Sequence, residues 1–312
     1  MSKVFCIGEC LIDMIPASFG SSEYTARTGG APANVCACAA RLGAEAYYIG
    51  RLSTDGFSEI INDSLKKCGV NTEYAVRDGN AKTAVALVEL SKSGDRSFRF
   101  LREGTADLML CEDDIKGGCF AEGDILHFCS VGLVESPSKY AHIKALKLAN
   151  ANSAKVSFDV NLRPDLYKDE KTCRETVIEF LPFADILKVT DGELEFLTGI
   201  SDEISAVKRL FEIAPRAKIL FITKGEKGAC VYDRNMDRID APAKPTKVAD
   251  TTGAGDCFCG SMLYLIATRG FSGCASDYSE YLDFCLSACA KVCSRYGAME
   301  AMPYLNELTK QD

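Results

Sequence analysis

Basic residues and long apolar runs are both scarce in this sequence. Lysine and arginine number 36 against 44 aspartates and glutamates, which gives a net charge of −8. Nucleic-acid-binding proteins normally carry a basic patch or stripe, so this balance argues against that class. The longest apolar run, 257–267, is shorter than the ~20 residues that a membrane span needs. The first ten residues also lack the apolar core of a signal peptide, and we therefore expect a cytoplasmic protein without nucleic-acid or membrane partners.

Patterns for metal binding and for disulfides are missing as well, although the chain has 16 cysteines. It contains two histidines, His127 and His142, and no Cys-x-x-Cys pair of the kind that holds zinc. A long chain without a secretion signal is also a poor candidate for a disulfide scaffold. Cys285, Cys289 and Cys293 recur every four residues among apolar neighbours, as is typical of small buried side chains. We therefore expect free thiols in a reducing compartment.

The 312 residues, 47% apolar and 26% charged, have the composition of a globular protein. Short apolar runs alternate along the chain with longer helical patterns. Buried strands are predicted at 4–8, 46–50, 124–129, 155–159, 186–189 and 218–223. Helices are predicted at 33–42, 59–68, 138–151, 171–181 and 204–213. This order favours an α/β fold whose mostly parallel central sheet is flanked by helices, with ligands bound beyond the carboxyl ends of the strands.

Two segments, 11–28 and 82–101, interrupt this pattern. They contain alternating apolar and polar residues, which predict antiparallel hairpins, the second with a turn near Gly94 and Asp95. Such hairpins would form a small lid or a dimer-forming sheet. An edge extension of the main sheet is the alternative that periodicity leaves open.

The strongest chemical signal is the loop at 250–256, which reads DTTGAGD and precedes an apolar helical stretch. Gly253, Ala254 and Gly255 would let backbone amides converge on a ligand, and the helix start adds unpaired N–H groups. The result would be an anion hole for a transferred phosphoryl group, with Asp256 beside it to accept a proton. The competing interpretation is a glycine turn capped by an aspartate. The loop matches neither GxxxxGK[ST] nor GxGxxG, which argues against a P-loop and against a Rossmann dehydrogenase.

A second glycine loop, GGAPAN at 29–34, precedes the first long helix. Gly29 and Gly30 allow close backbone approach, and Asn34 would present its amide to a polyol. Asp13, just after the first strand, adds a carboxylate that can accept hydrogen bonds from two hydroxyl groups. A tight strand-to-helix turn is the alternative interpretation.

Together the two loops resemble the paired signatures of the ribokinase-like (PfkB) carbohydrate kinases, GGAPANV at 29–35 and DTTGAGD at 250–256. The resemblance implies one ribokinase-like kinase domain, 1–312, with a β-sheet lid at about 11–28 and 82–103. It implies ATP and Mg²⁺ as cofactors, with K⁺ as a further ion. Asp256 would be the general base beside the anion hole. The sugar-binding residues would be Asp13, Gly29, Gly30, Asn34 and Asp256.

The same resemblance extends to the nucleotide and the metal ions. TKGEKG at 223–228 resembles the nucleotide-binding strand and turn of the family, although a plain hairpin turn is the alternative. The cofactor-binding residues would be Asn161, Thr223, Gly225, Gly228 and Gly255. Glu193 would hold Mg²⁺ through water, or simply stabilise a helix start, and Thr190 replaces the asparagine of the family motif. The residues at the positions of a K⁺ site are Asp250, Thr252, Val292, Gly297 and Ala301.

Three stretches resemble the fructokinase branch: GECLIDM at 8–14, DRSFRF at 95–100 and SFDVNLRP at 157–164. Arg163 would lie near the transferred phosphate or the sugar, or else form a surface salt bridge, and Arg102 would contact the sugar from the lid. The expected reaction is phosphorylation of D-fructose by ATP at the 6-hydroxyl. The alternatives are a 2-keto-3-deoxygluconate kinase, whose substrate carboxylate would use Arg102 or Arg99, another sugar kinase, or an inactive sugar-binding regulator.

Two further expectations concern the surface and the thiols. The apolar side chains of 84–90 would let two copies pair through the lid as a homodimer. Cys257 and Cys259 open the helix behind the expected anion hole, where thiol pKa values are often low. We therefore expect oxidation or alkylation of these two thiols to inhibit the protein.

Overall fold

Thirteen strands and nine α-helices are present in the computed structural model, which describes residues 2–90 and 96–309. The strands are β1 Val4–Ile7, β2 Leu11–Pro16, β3 Tyr24–Gly29, β4 Ala46–Ser53, β5 Asn71–Asp78, β6 Val85–Leu90, β7 Arg96–Leu101, β8 Ile125–Cys129, β9 Lys155–Asp159, β10 Ile186–Thr190, β11 Ile219–Thr223, β12 Ala229–Asp233 and β13 Arg238–Ala241. The helices are α1 Ala31–Arg41, α2 Gly56–Lys67, α3 Pro137–Ala151, α4 Glu170–Phe180, α5 Asp191–Thr198, α6 Glu203–Ile213, α7 Ala254–Arg269, α8 Ser279–Cys293 and α9 Leu305–Thr309.

Nine strands form the main sheet in the order β13-β12-β11-β10-β9-β8-β1-β4-β5. Every pairing from β11 to β5 is parallel, and β12 and β13 extend the sheet as antiparallel strands. All six strands predicted from the apolar runs are found in this sheet. The α/β prediction is therefore confirmed.

Strand β5 escaped prediction because it has no continuous apolar run. It lies at the edge of the sheet beside β4, and all of its side chains are half-buried or exposed. An edge strand does not need the two apolar faces of an interior strand.

Helices cover both faces of the main sheet, and the alternation of side chains along β1 shows how. Val4 and Cys6 pack into a core with α1 and α7, whereas Phe5 and Ile7 pack into the opposite core with α3, α4 and α6. Among residues 2–90 and 96–309, no helix combines the length and hydropathy required to cross a membrane.

The interrupting segments form a separate four-stranded sheet in the order β3-β2-β6-β7. The pairs β2–β3 and β6–β7 are the two expected antiparallel hairpins, and β2 joins β6 in parallel. The segments therefore do not extend the edge of the main sheet. The predicted turn at Gly94 and Asp95 lies outside the described residues. This small sheet covers one end of the strands in the central sheet.

Candidate active site

A cavity of about 690 Å³ lies where the small sheet meets the carboxyl ends of β8, β9 and β10. Most residues singled out in the two glycine loops line it together. From the sequence predictions, the cavity collects Asp13, Gly30, Asn34, Asn161, Arg163, Asp250, Thr252, Gly253, Ala254, Gly255 and Asp256. Parallel strands end at the same sheet edge, which explains why positions far apart in the chain converge here.

The start of α7 forms one wall of the cavity. Gly253 is its N-cap residue, with a φ of 79°, and it has no side chain to cap the first N–H groups of the helix. A Cβ at Gly253 would approach Cβ of Ala298 to 3.0 Å, so both the backbone angle and the space require glycine. The uncapped first turn borders the cavity at Ala254 and Gly255 and gives it a positive dipole end. This arrangement suits an anion.

Asp256 follows in the first turn of α7, and its Oδ2 accepts a hydrogen bond from Nδ2 of Asn34 at 2.8 Å. Burial raises the pKa of Asp256, while the hydrogen bond from Asn34 and the charges of Lys188 and Arg163 lower it. Oδ1 of Asn34 is buried without a partner among the described residues. Asn34 therefore orients a cavity-lining carboxylate that can take a proton.

Asp13 faces the same space from β2. Its pKa is raised to about 7 by burial and by the negative charges of Asp256 and Glu300. Gly29 does not line the cavity, but a Cβ there would lie 2.2 Å from Oδ2 of Asp13. The glycine therefore makes room for the carboxylate, which is a different task from the ligand contact that the resemblance implies.

Lys188, on β10, is a cavity residue that the sequence analysis missed. Its Nζ donates to Oδ1 of Asp159 at 2.9 Å, and both side chains are buried. Burial lowers the pKa of Lys188, but the charge of Asp159 outweighs it and the net pKa lies above its usual value. Nζ lies 3.4 Å from the position of a Cβ on Gly255. Because β10 is a buried apolar strand, one lysine within it was the available signal.

Asn161 and Arg163 line the cavity from the loop after β9. Asn161 has a φ of 39°, a left-handed value that is uncommon outside glycine and often found at functional sites. Nη1 of Arg163 donates to the carbonyl of Leu162 at 2.8 Å. Within the described part of the chain no ion pair of Arg163 with a carboxylate is found, and its charge acts on Asp256, which lines the same cavity.

Arg102 does not line the cavity, contrary to the expected sugar contact from the lid. Its Nε donates to Oδ2 of Asp107 at 2.6 Å and its Nη1 to the carbonyl of Val131 at 3.0 Å. The chain leaves the small sheet at this residue, so the guanidinium turns into the protein interior and is 6% exposed. Arg99 is also directed elsewhere, because it is exposed and pairs with Glu89.

Residues expected around the nucleotide are divided between the cavity and the next loop. Asn161 and Gly255 line the cavity, whereas Thr223, Gly225 and Gly228 lie in the β11–β12 hairpin outside it. This hairpin follows the strand next to β10, on the same sheet edge. The hairpin therefore lies beside the part of the cavity that β10 lines with Lys188.

Glu193 lies in the first turn of α5 and outside the cavity lining. Its Oε2 accepts from the backbone of Thr190 at 2.7 Å, which completes a capping box, and its Oε1 accepts from the backbone of Leu162 at 2.8 Å. Thr190, which stands in for the asparagine of the family motif, caps the same helix. The carboxylate thus ties the start of α5 to the Asn161 loop.

Asp250 holds two loops together at the expected K⁺ site. Its Oδ1 accepts from the backbone N–H of Thr252 at 3.0 Å and its Oδ2 from that of Gly297 at 3.1 Å. Val292 and Ala301 belong to one buried cluster behind this contact. Two of the five expected residues, Asp250 and Thr252, line the cavity beside the start of α7.

Cys257 and Cys259 do not have the low thiol pKa on which the expectation of inhibition rests. Both thiols are buried, and burial raises the pKa of each well above its usual value. Sγ of Cys257 lies 3.9 Å from Sγ of Cys38 in the helix packing behind α7, and Sγ of Cys259 donates to Oδ2 of Asp159 at 3.5 Å. At both positions burial outweighs the effect of the helix start, which would lower a thiol pKa. No cluster of three or more potential metal-binding side chains occurs within 2–90 and 96–309.

Comparison with known proteins gives a consistent picture. Residues 1–305 match the model of the pfkB family of carbohydrate kinases. The chain is 35% identical to a probable fructokinase-5 of Arabidopsis thaliana, over 96% of this chain and 94% of the relative. Fructokinase from Xylella fastidiosa, solved with bound ATP, superposes with a TM-score of 0.89 at 32% identity, covering 98% of this chain and 96% of that one. A double-mutant fructokinase from Vibrio cholerae O395, bound to fructose, ADP and a potassium ion, gives 0.91 at 30% identity, with coverages of 99% and 97%.

Proposed function

Because the chain belongs to the pfkB family of carbohydrate kinases, we propose that it phosphorylates D-fructose to fructose 6-phosphate with ATP. The observation that carries the proposal is the Asn34–Asp256 hydrogen bond beside the uncapped start of α7. It places a carboxylate next to an anion site, and the full-length similarity to fructokinases supports the choice of sugar. The catalytic domain would comprise the whole chain, 1–312, with the small sheet as its lid.

In the proposed reaction, the 6-hydroxyl of fructose loses its proton to Asp256 as its oxygen attacks the γ-phosphorus of ATP. The bond from that phosphorus to the β-phosphate oxygen breaks in line, and ADP leaves. Gly253, Ala254 and Gly255 would stabilise the charge on the transferred group with backbone N–H groups. Asp13, Gly30 and Asn34 would hold the sugar hydroxyls.

Lys188 adds a positive charge for the same phosphoryl group. An ammonium has three N–H groups, and Asp159 is the single hydrogen-bond partner of Nζ within the described residues. The remaining N–H groups can therefore donate to phosphoryl oxygens, and Asp159 keeps the lysine charged and oriented. Arg163 would contribute a second cationic side chain from the Asn161 loop.

Mg²⁺ would reach the site on ATP. The described residues offer no cage of several carboxylates, which fits an ion that is held chiefly by nucleotide phosphates and water. Glu193 would hold it through water, and the bound ion would neutralise the charge of the β- and γ-phosphates. Thr223, Gly225 and Gly228 would contact the nucleotide. A K⁺ ion coordinated by the loops at Asp250 and Gly297 would shape the anion hole.

The cavity favours fructose over 2-keto-3-deoxygluconate. A substrate carboxylate calls for a cationic partner at the sugar end, yet Arg102 is bonded to Asp107 and Arg99 pairs with Glu89. The cations that line the cavity within the described residues, Lys188 and Arg163, lie on the strand and loop assigned to the phosphoryl group.

We also propose that two copies pair through their small sheets, which sedimentation would test.

An ADP-release assay with fructose, ribose, 2-keto-3-deoxygluconate and nucleosides tests the function. We expect turnover to be fastest on fructose, with the product identified as the 6-phosphate by NMR. Faster turnover on another substrate would refute the choice of sugar. Asp256→Asn should lower kcat by about 10³-fold, within the range for loss of a general base, while fructose still raises the Tm. Full phosphorylation by this variant would refute the mechanism and leave the fold assignment intact.

A further inference from the structure

The small sheet is joined to the main domain at four points, and three of them meet at a buried charged cluster. The chain enters the small sheet before β2, leaves it after β3, enters again before β6 and leaves after β7. Glu9 precedes β2, Ala31 follows β3 and Arg102 follows β7. We call Glu9, Arg102 and Asp107 the root cluster. The proposed reaction assigns none of them a role.

Glu9 connects the first two points. It lines the cavity, is 2% exposed, and its Oε1 accepts from the backbone N–H of Ala31 at 3.0 Å. Ala31 follows Gly30, whose φ of 108° brings it so close that a Cβ would lie 2.5 Å from the carbonyl oxygen of Glu9. The carboxylate of Glu9 therefore fixes the loop proposed to bind the sugar, and its carbonyl leaves no room for a side chain at Gly30.

Arg102 connects the exit of β7 to the same region. Its Nε and Nη1 are bonded to Asp107 and Val131, and its Nη2 is buried without a partner among the described residues. Thr105 donates to Oδ1 of Asp107 at 2.6 Å, which fixes that carboxylate in turn. Both side chains meet the chain at the end of β8, because Sγ of Cys129 donates to Oε1 of Glu9 at 3.8 Å and the carbonyl of Val131 accepts from Arg102. In this buried region the two opposite charges act on each other. A displacement of Arg102 at the exit of β7 would therefore change the electrostatic potential at the carboxylate of Glu9.

We propose that Glu9 and Arg102 are positioning residues that couple the attachment of the small sheet to the geometry of the loop at Gly30 and Ala31. The inference rests on the proposed function, because it assigns the loop to the sugar and the small sheet to its lid. When the small sheet closes over fructose, this pair would hold the loop in its binding conformation. Neither residue takes part in phosphoryl transfer. Their loss should therefore weaken sugar binding more than it slows chemistry.

Kinetics of two variants test the coupling. Glu9→Gln keeps an oxygen for the N–H of Ala31 but removes the charge that faces Arg102. Arg102→Met combined with Asp107→Asn removes the guanidinium without leaving the carboxylate of Asp107 unpaired. We expect each to raise the KM for fructose about five- to twenty-fold, with the KM for ATP within two-fold and kcat within three-fold. Arg102→Lys, which retains the charge, should restore part of the lost affinity.

Asp185→Asn is the matched control. Asp185 is also a buried carboxylate: it accepts a backbone N–H from Val156 and pairs with Arg216. It lies at the amino ends of β9 and β10, away from the cavity at their carboxyl ends. This variant should lower the Tm and leave both KM values unchanged. If the two root-cluster variants also lower only the Tm, or raise both KM values together, the proposed coupling is wrong.

A double-mutant cycle on ligand-free protein separates this proposal from the assignment of the sugar. Glu9→Gln, the Arg102→Met/Asp107→Asn pair and their combination should shift the Tm non-additively, since residues in one network do not act independently. Additive shifts would refute the coupling. If the wild type fails to phosphorylate fructose but the cycle is non-additive, the fructokinase proposal fails and the coupling stands.

Discussion

Asp13 is a buried carboxylate that lowers the stability of the ligand-free protein. Burial and neighbouring negative charges raise its pKa from 3.8 to about 7. The unfolded chain loses this proton near pH 4, whereas the folded protein holds it until about pH 7. The raised pKa therefore lowers the stability of the folded protein, by an amount that grows between these pH values, where only the unfolded chain is ionised, and is constant above them. A sugar hydroxyl would donate a hydrogen bond to this carboxylate and so offset part of the loss.

Asp13→Asn should accordingly stabilise the ligand-free protein at pH 8. Since one pKa unit corresponds to about 1.4 kcal/mol, the gain has an upper limit of about 4 kcal/mol, and it should shrink as the pH falls from 7 towards 4. The same variant should raise the KM for fructose at least ten-fold. Urea unfolding at pH 5 and pH 8 measures the first effect. Asp63→Asn, on the exposed face of α2, serves as the control, and a pH-independent gain would contradict the explanation.

Lys188 and Asp159 allow a second test with single side chains. Lys188→Met alone would leave the buried Asp159 unpaired, so we combine it with Asp159→Asn. The double variant should lower kcat about 10²-fold or more and change the KM for fructose much less, because the lost charge faces the phosphoryl group. Steady-state kinetics in both substrates measures this, and Asp185→Asn again controls for stability. A selective rise in the KM for fructose would instead assign Lys188 to the sugar.

The residues that sequence reasoning found and missed differ in a physical way. Asn34 and Asp256 lie beside glycine-rich loops, which indicate a ligand site in the sequence itself, and Asp13 comes just after the first predicted strand. Lys188 lies within an apolar strand, where only the fold reveals which face it occupies. Arg102 shows the reverse error, because its position after a lid strand suggested a ligand contact, yet its nearest carboxylate, Asp107, draws it into the interior.

At the scale of elements, β7 is the strand of the small sheet that brings aromatic rings over the cavity. Phe98 and Phe100 line the cavity and their ring centroids are 6.4 Å apart. Residues two apart on a strand share a face, so the neighbouring Leu101 points to the other side, where it is 52% exposed. The aromatic face is suited to excluding water from the transferred phosphoryl group.

Phe98→Ser should therefore increase ATP hydrolysis relative to fructose phosphorylation. We expect the ratio of free phosphate to fructose 6-phosphate to rise about five-fold or more, with a higher KM for fructose. Phosphate release and product formation, measured in the same reaction, give the ratio. Leu101→Ser changes the opposite face of the same strand and should leave the ratio unchanged. Equal ratios in both variants would show that the aromatic face does not exclude water.

Elements were predictable where their periodicity was strong. The interior strands of the main sheet are apolar on both faces, and the helices α1 to α4 and α6 were located to within a few residues. The order of the strands was not accessible in the same way. The parallel pairing of β2 with β6 joins two hairpins that lie far apart in the chain, and it depends on how both pack over the main sheet. Such non-local pairings leave no local pattern.

At the scale of the whole molecule, most of the 16 cysteines are buried where helices pack on each other and on the main sheet. All are free thiols, of which eleven are buried, four half-buried and one, Cys274, exposed. Many of the buried ones fill the helix packing against the main sheet, as in the contact between Cys38 and Cys257. Composition alone predicted buried free thiols. Composition could not show which thiols lie near the site, because that depends on how the helices and strands pack, for example α8 on α7.

Cys289 is a half-buried thiol of α8 near the site, and its Sγ contacts the carbonyl of Ala254 at 3.3 Å, at the start of α7. With a disulfide reagent such as DTNB, we expect Cys274 to react first without loss of activity. Activity should fall later, as Cys289 reacts, and the buried thiols should react only as the protein unfolds. Cys289→Ser should slow the inactivation and Cys274→Ser should not. Activity lost together with the first thiol would contradict this order, because no exposed cysteine borders the cavity within the described residues. Protection by ATP would locate the effect at the start of α7, where a modified Cys289 would displace the amides proposed to hold the phosphoryl group.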